Sequence, residues 1–318
     1  MTANPAPWDR RHLLGLEDLS AGDITALLDL ARELAPHSTR SSRKLAALAG
    51  RTVVTMFYEN STRTQLSFQL AAQRLSADVL PFTKAGASVA KGESLLDTVR
   101  NIEAMGVDCM VLRHPAAGAA ARVASRVQCS VVNAGDGQHE HPTQALLDLY
   151  TLREVLQERR DPRGIGDLTV AVVGDLQHSR VARSNLWGLR RLGARVLAVG
   201  PATLVPSGFR EMGAVICHDL DEALGQADAV NMLRVQYERH EGQAGFPPRA
   251  EYVRRWGLTR ERLDRAKPDL IVMHPGPVNR GFEVSPEVAD GPRSVILRQV
   301  RNGLAVRMAV LRTVLAAP

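Results

Sequence analysis

Four consecutive residues, Ser61 to Thr64, place three hydroxyl groups and one guanidinium within a single turn of the chain. They follow an apolar run, Thr52 to Phe57, that predicts a strand, and they precede a helical apolar pattern that begins near Gln65. A helix start offers unpaired backbone N–H groups and the positive end of the helix dipole, and arginine matches the geometry of phosphate oxygens. Ser and Thr also cap helices that bind nothing, so the stretch alone fits either role. One cap does not need four polar residues, and the pattern therefore favours a phosphate site.

Polar residues recur directly after other predicted strands. Ligands of open α/β sheets bind beyond the carboxyl ends of the strands, so we expect these residues to converge on one cleft between two sheets. Any one of them could be an ordinary surface side chain, but their repetition at strand ends argues against that. In the first half of the chain they are Arg113, His141 and Gln144, and in the second half Arg180, Arg234 and Gln236.

Predicted strands alternate with predicted helices along the whole chain, which is typical of parallel sheets with crossover helices. A length of 318 residues suits two domains of about 150 residues each. We predict an α/β fold of two doubly wound parallel-sheet domains, residues 1–142 with 299–318 and residues 143–298. Interdomain helices join them: one begins at Pro142, and the last helix, Val300 to Leu315, is expected to be well buried.

Composition excludes several classes of protein. The net charge of +6 fits nucleic acid or acidic small molecules, but the basic residues are scattered and only 4% of residues are aromatic, so nucleic acid is disfavoured. Cys109, Cys129 and Cys217 lack ligand spacing and are expected to be buried thiols in a reducing compartment. No metal, cofactor or membrane span is predicted, and a cytoplasmic location is expected. The turn after Val173 lacks the GxGxxG pattern of dinucleotide sites.

Two motifs carry a resemblance to a known family. Ser61-Thr62-Arg63-Thr64 and His141-Pro142-Thr143-Gln144 match the phosphate loop and the H-P-x-Q segment of the carbamoyltransferases, and the similarity covers nearly the full length. The ornithine branch of that family carries H-C-L-P where this chain has His274-Pro275-Gly276-Pro277. The segment Arg234-Val235-Gln236 also matches the aspartate branch, so the chain resembles the aspartate carbamoyltransferases.

This resemblance implies a reaction and a set of roles. The amino group of L-aspartate attacks the carbonyl carbon of carbamoyl phosphate, giving N-carbamoyl-L-aspartate and phosphate in pyrimidine biosynthesis. No cofactor is implied. The carbamoyl phosphate ligands would be Ser61, Thr62, Arg63, Thr64, Arg113, His141 and Gln144, with the backbone at Pro275 and Gly276 near the reacting centre. The aspartate ligands would be Arg180, Arg234 and Gln236.

The same resemblance implies that Ser88 and Lys91 enter the active site of a neighbouring subunit in a homotrimer. This segment is one residue shorter than in the best-known family member. The string from Met273 to Gly281 is similar to a bacterial branch whose trimers associate with dihydroorotase, and the resemblance allows that enzyme or a regulatory chain as a partner. Two rival functions stay open: a transferase for another amino acid, and a non-catalytic protein that binds anions or amino acids.

Overall fold

The structure, a computed structural model, describes residues 8–39, 43–83, 93–237 and 245–316. The chain divides into two compact units, one formed by Met1–Leu147 with Arg301–Pro318 and the other by Asp148–Val300. Each unit contains one parallel sheet with helices between its strands. The predicted class, two doubly wound parallel-sheet α/β domains joined by helices, is confirmed.

The first unit is built on four strands and the helices that connect them. The strands are β1 (Thr52–Phe57), β2 (Asp78–Thr83), β3 (Cys109–His114) and β4 (Ser130–Asp136), in the order β2–β1–β3–β4. The helices are α1 (Ala21–Leu34), α2 (Thr62–Arg74), α3 (Leu95–Glu103), α4 (Ala119–Ala124) and the start of α5 (Pro142–Glu158), with 3-10 turns at Ala35–Ser38 and Ala46–Leu48. Apolar residues of β1, β3 and β4 pack with those of α3 and α4 to form a core beneath the sheet.

The second unit has five strands, again all parallel. They are β5 (Thr169–Val173), β6 (Arg195–Val199), β7 (Val215–Cys217), β8 (Ala229–Met232) and β9 (Ile271–Met273), in the order β7–β6–β5–β8–β9. The helices are α6 (Arg180–Arg191), α7 (Gly208–Glu211), α8 (Leu220–Gln226), α9 (Arg249–Trp256), α10 (Arg260–Arg265), α11 (Pro286–Ala289) and α12 (Ile296–Ala316), with a 3-10 turn at Ile165–Asp167. Helix α12 continues into the first unit, where residues 305–311 are all buried, as predicted.

The strand orders define one switch point in each sheet. In the first sheet the chain leaves β1 for β2 on one side and later returns to β3 on the other side. In the second sheet it leaves β5 for β6 and β7 and returns to β8. Crossover helices diverge at such points and leave a crevice beyond the strand ends. The crevices are therefore expected beyond β1 and β3 in one unit and beyond β5 and β8 in the other.

Two local predictions are wrong. Helix α2 begins at Thr62 rather than near Gln65, so three of the four motif residues form its first turn. Cys109 and Cys129 are buried as predicted, and burial raises the pKa of the Cys129 thiol to about 12. Cys217 is only half-buried because β7 is a three-residue strand at the sheet edge, with a neighbour on one side only.

None of the helices in the described ranges combines the length and apolarity needed to cross a bilayer.

Candidate active site

The phosphate motif lies at the first switch point, at the start of α2. Ser61 occupies the N-cap position, but its side chain makes no capping hydrogen bond, which removes the simple capping explanation for this hydroxyl. Thr62 and Arg63 are exposed, whereas Thr64 is buried. The first hydrogen bond of the helix runs from Gln65 N to Ser61 O at 3.0 Å, so the N–H groups of the first turn precede the intrahelical ladder. The turn can accept an anion.

Arg113 stands beside this motif at the end of β3. The register pairs it with Phe57, and its carbonyl accepts the Tyr58 N–H at 2.9 Å. Its guanidinium is held from two sides: Nη1 donates to Ala134 O at 3.1 Å, and Nε lies 3.4 Å from Glu59 Oε2. Both side chains of this ion pair are mostly buried. Arg113 therefore has a fixed position beside the end of β1, the strand that leads to the phosphate turn, and Glu59 is a supporting residue that no sequence motif marks.

His141 and Gln144 lie at the start of α5, one turn apart and both buried. The His141 carbonyl accepts the N–H groups of Gln144 and Ala145 at 3.0 and 3.3 Å, so His141 is in the N-cap position and Pro142 is the first helical residue. Proline is favoured there because that position needs no N–H donor. The prediction that this helix begins at Pro142 is confirmed.

The glycine turn before His141 is held by a buried carboxylate. Asp136 accepts hydrogen bonds from Gly118 N at 2.7 Å, Asn133 Nδ2 at 2.7 Å and Glu140 N at 3.2 Å, and His139 Nδ1 lies 3.2 Å away. Burial alone raises the pKa of Asp136, but the hydrogen bonds from His139 and Asn133 outweigh it, and the net shift is downward. The hydrogen bond between His139 and Asp136 also raises the pKa of His139. Asp136 thus ties the turn to β4 and α4.

The residue before His141 is anchored to the N-terminal segment. Glu140 is fully buried, and its carboxylate accepts Leu16 N at 2.9 and 3.0 Å and Glu17 N at 3.2 Å. Gly15 permits this approach, since a Cβ there would lie 2.3 Å from Glu140 Oε1. The segment itself runs beside β4, where Leu13 forms a parallel bridge. Distant residues of the chain therefore hold the start of α5.

Within the described ranges, one group of side chains has the composition of a metal site. Single ligand atoms of Glu17, His139 and Glu140 all lie within 4.8 Å of one another. The Glu140 carboxylate is already hydrogen-bonded by backbone N–H groups, and His139 Nδ1 faces Asp136. These contacts explain the group as part of the support for the turn, without a metal.

In the second unit, Arg180 is the first residue of α6, at the end of the loop that follows β5. Ser179 caps this helix by accepting Ala182 N at 3.1 Å. The loop is fixed by the buried carboxylate of Asp175. This carboxylate lies 2.9 Å from His178 Nδ1 and also accepts the His178 N–H at 3.2 Å. Arg180 is half-buried and held beyond the carboxyl end of β5.

Arg234 and Gln236 lie beyond β8, across the second switch point. Leu233 N donates to Val173 O at 2.8 Å, which ties the start of this segment to β5. Arg234 and Gln236 are half-buried, and Val235 between them is fully buried. The unit thus has one arginine beyond each of the two strands at its switch point.

The segment after β9 begins with a buried histidine. His274 N donates to Gln299 Oε1 at 2.9 Å, and the Gly276 N–H donates to His274 Nδ1 at 2.8 Å. Gly276 has a φ of +64°, a value that favours glycine. Pro275 and Gly276 are half-buried. Their backbone is therefore held at the end of β9 by side chains of the same unit.

Gln299 belongs to a buried polar group around Asp148. The Asp148 carboxylate accepts Asn185 Nδ2 at 2.8 Å, Asn231 Nδ2 at 3.2 Å and Gln299 Nε2 at 2.7 Å. These amides come from α6, β8 and α12. Asp148 therefore connects α5 to three elements of the second unit, and the sequence analysis did not identify it. Ser88 and Lys91, also predicted site residues, lie outside the described residues.

Models of the two halves of one family match this chain. The aspartate/ornithine carbamoyltransferase carbamoyl-P binding domain matches residues 11–154, and the Asp/Orn binding domain of that family matches residues 166–314. The aspartate carbamoyltransferase catalytic subunit of Pelotomaculum thermopropionicum is 54% identical over 301 residues, which cover 95% of each chain.

Two solved structures show that the fold alone does not distinguish the aspartate branch of the family from the ornithine branch. Aspartate transcarbamoylase from Trypanosoma cruzi, in complex with carbamoyl phosphate and aspartate, is 33% identical with a TM-score of 0.83, over 95% of this chain and 94% of that one. Ornithine carbamoyltransferase from Pyrococcus furiosus is 27% identical with a TM-score of 0.85, over 98% and 99%. The two branches share the backbone, so the choice between them rests on side chains. The matches over both halves, together with the motifs at both switch points, place the chain in the aspartate/ornithine carbamoyltransferase family.

Proposed function

We propose that this chain transfers the carbamoyl group of carbamoyl phosphate to the amino group of L-aspartate. The products are N-carbamoyl-L-aspartate and phosphate, and the reaction is an early step of pyrimidine biosynthesis. One observation carries the proposal: this chain, which is 54% identical to an aspartate carbamoyltransferase catalytic subunit, has a pair of arginines at the switch point of each sheet. Two separate cationic sites suit two anionic substrates.

The carbamoyl phosphate site is assigned to the first unit, residues 1–147 with 301–318, which includes Gln144. The turn Ser61–Thr64 holds the phosphate through its hydroxyls and N–H groups, and Arg63 neutralises charge that builds on the leaving oxygen. As the new C–N bond forms, the carbonyl oxygen gains negative charge, which Arg113 and His141 stabilise by hydrogen bonding. Gln144 orients the carbamoyl nitrogen. The C–O bond then breaks, its electron pair leaves with phosphate, the carbonyl re-forms, and the attacking nitrogen passes a proton to the departing phosphate.

The aspartate site is assigned to the second unit, residues 148–300, where Arg180 and Arg234 each bind one carboxylate and Gln236 assists. The backbone at Pro275 and Gly276 lies near the reacting centre in this assignment. Two arginines favour a dicarboxylate because each planar guanidinium can hydrogen-bond both oxygens of a carboxylate. The side-chain ammonium of ornithine would instead be repelled by a second arginine. Selectivity for aspartate follows from this charge arrangement.

A steady-state assay tests this proposal against its rivals. The purified chain is incubated with carbamoyl phosphate and either L-aspartate or L-ornithine, and the carbamoylated product is measured. We expect kcat/KM for aspartate to exceed that for ornithine by at least about 10³. Equal use of both amino acids would favour a broader transferase, and binding without turnover would favour the non-catalytic alternative.

A homotrimer with shared active sites completes the proposal. Exposed apolar side chains support a contact between copies: Leu66 and Leu70 are 58% and 40% exposed on α2, and Leu80 is 49% exposed on the edge strand β2. In a cyclic trimer one surface meets a different surface of the next chain, so the segment that contains Ser88 and Lys91 can serve the neighbouring site all around the ring. Analytical ultracentrifugation tests the trimer.

The remaining assignments concern the surroundings of the enzyme. We propose a cytoplasmic location, no metal or organic cofactor, and no nucleic-acid or membrane partner. Carbamoyl phosphate carries its own activated leaving group, so the reaction needs no added electrophile. A dihydroorotase or a regulatory chain is the proposed partner in any larger assembly. Sizing of the purified chain with and without dihydroorotase tests that association.

A further inference from the structure

The segment Arg234–Gln236 extends past the sheet, so its backbone needs partners other than neighbouring strands. Val235 is fully buried between the two assigned aspartate ligands. Its N–H donates to Glu283 Oε1 at 2.8 Å, and its carbonyl accepts Asn279 Nδ2 at 3.1 Å. Both backbone groups of the central residue are therefore held by side chains from the segment after β9.

Asn279 and Glu283 also bind each other. Glu283 is fully buried, and it accepts Asn279 Nδ2 at 2.7 Å through Oε1 and Asn279 N at 2.8 Å through Oε2. Together with the two bonds to Val235, these contacts form a closed set, which we call the Asn279–Glu283 clamp. An ionised carboxylate suits this place because it only accepts hydrogen bonds and can accept several.

The clamp also reaches the assigned backbone ligands Pro275 and Gly276. Because His274 Nδ1 accepts the Gly276 N–H, the proton of the neutral imidazole lies on Nε2. His274 Nε2 faces Glu283 Oε2 at 3.8 Å, and neither side chain is exposed to solvent. Glu283 therefore contacts both the segment after β8, at Val235, and the start of its own segment after β9, at His274.

We propose that Asn279 and Glu283 are positioning residues for the amino-acid substrate. By fixing the backbone at Val235, they set the direction in which Arg234 and Gln236 project and their distance from the backbone of Gly276. The inference rests on the proposed function, since it assigns the clamp to the site that binds the dicarboxylate. Misplacement of a binding group by about 1 Å can cost on the order of 10² in rate, so a backbone clamp is a means of specificity.

The test is a kinetic comparison of two substitutions at one half-buried position. Asn279→Ala removes the Nδ2 donor from Val235 and Glu283 while leaving the backbone N–H of residue 279 in place. We expect KM for aspartate to rise about tenfold, because two hydrogen bonds are lost. KM for carbamoyl phosphate should stay within about twofold, and kcat should fall less than KM rises. Asn279→Asp keeps the shape but places an acceptor against two acceptors, and its KM for aspartate should rise further.

Glu283→Gln provides a second test, because the new amide places a donor against the N–H groups of Val235 or Asn279. The matched control is Glu287→Gln, an exposed glutamate four residues away, which should leave every constant unchanged. Succinate binding in the presence of carbamoyl phosphate should weaken in step with aspartate, since succinate has the same two carboxylates. If Asn279→Asp behaves like wild type, or if both substrates weaken equally, the clamp is only structural and the inference is wrong. Absence of carbamoyl aspartate from the wild type would instead refute the proposed function.

Discussion

Arg63 and Arg113 are assigned to the same substrate, but their side chains are buried to very different extents. Arg63 is exposed on the first turn of α2. Arg113 is mostly buried, with Glu59 and the Ala134 carbonyl as partners. Replacement of each arginine by alanine should therefore separate a loss of catalysis from a loss of stability.

Arg63→Ala should lower kcat by about 10²–10³, as when a donor to developing charge is removed, and should change the free energy of unfolding by less than about 0.5 kcal/mol. Arg113→Ala should lower kcat by a similar factor and also cost about 2–3 kcal/mol of stability. That cost arises because Glu59 keeps its burial but loses its cation, and the Ala134 carbonyl loses a charged donor. Steady-state kinetics and urea unfolding measure the two quantities.

A double variant tests the explanation. Glu59→Gln in the Arg113→Ala background removes the stranded carboxylate, so it should restore part of the stability and none of the turnover. If Arg113→Ala unfolds at the same urea concentration as wild type, the ion pair contributes nothing and the reasoning is wrong. If Arg63→Ala keeps more than about a third of wild-type kcat, Arg63 is a residue of the helix start without a catalytic role.

Four further predictions concern the assigned ligands and the residues that support them. Arg234→Ala should cost more than about 2 kcal/mol in kcat/KM for aspartate and leave carbamoyl phosphate binding unchanged; equal loss for both substrates would overturn that assignment. The pKa of His139 is raised by its hydrogen bond to Asp136, so protonated His139 stabilises the fold. This stabilisation is complete below the unfolded histidine pKa of about 6.5 and disappears as pH rises through the folded pKa. The difference in unfolding free energy between wild type and His139→Gln should therefore shrink over that range. Dialysis against a chelator should leave full activity, and recovery of a lost activity by zinc or magnesium would contradict this. Lys91→Ala and Arg63→Ala should each be nearly inactive, yet a refolded equal mixture should regain about one quarter of wild-type sites; no recovery in trimers shown to have exchanged chains would place Lys91 outside the neighbouring site.

The sequence predicted the elements whose apolar residues form long runs or clear helical periods. Strand β1 and the start of α5 are examples, because burial on both sides of a parallel strand and a proline at the first helical position leave strong signals. The short helices between residues 208 and 289 left weak signals. Helix α9, for example, buries only Tyr252 and Trp256, one turn apart among charged residues. Two apolar positions in eight residues do not define a period.

The supporting residues of the site could not be predicted for a different reason. Most of the residues assigned to ligand binding lie in short contiguous motifs, whereas their supports join distant parts of the chain. Glu140 and Leu16 are 124 residues apart, Asp148 and Gln299 are 151 apart, and Val235 and Glu283 are 48 apart. An isolated Asp or Glu in a sequence gives no sign of which N–H groups it will accept.

These supports share a chemistry that the fold requires. Loops beyond the carboxyl ends of parallel strands leave N–H groups without a ladder partner, and a buried unpaired donor costs about 1–3 kcal/mol. A carboxylate is the efficient remedy, since it accepts from several donors and offers none. Asp136, Glu140, Asp175 and Glu283 are all buried, and each accepts at least one backbone N–H. Replacing one of them by its amide sets a donor against a donor, which should disturb the loop more than the loss of an exposed arginine would. In the proposed assignment the cations beyond the strand ends bind the substrates, and the buried anions hold in place the loops that carry them.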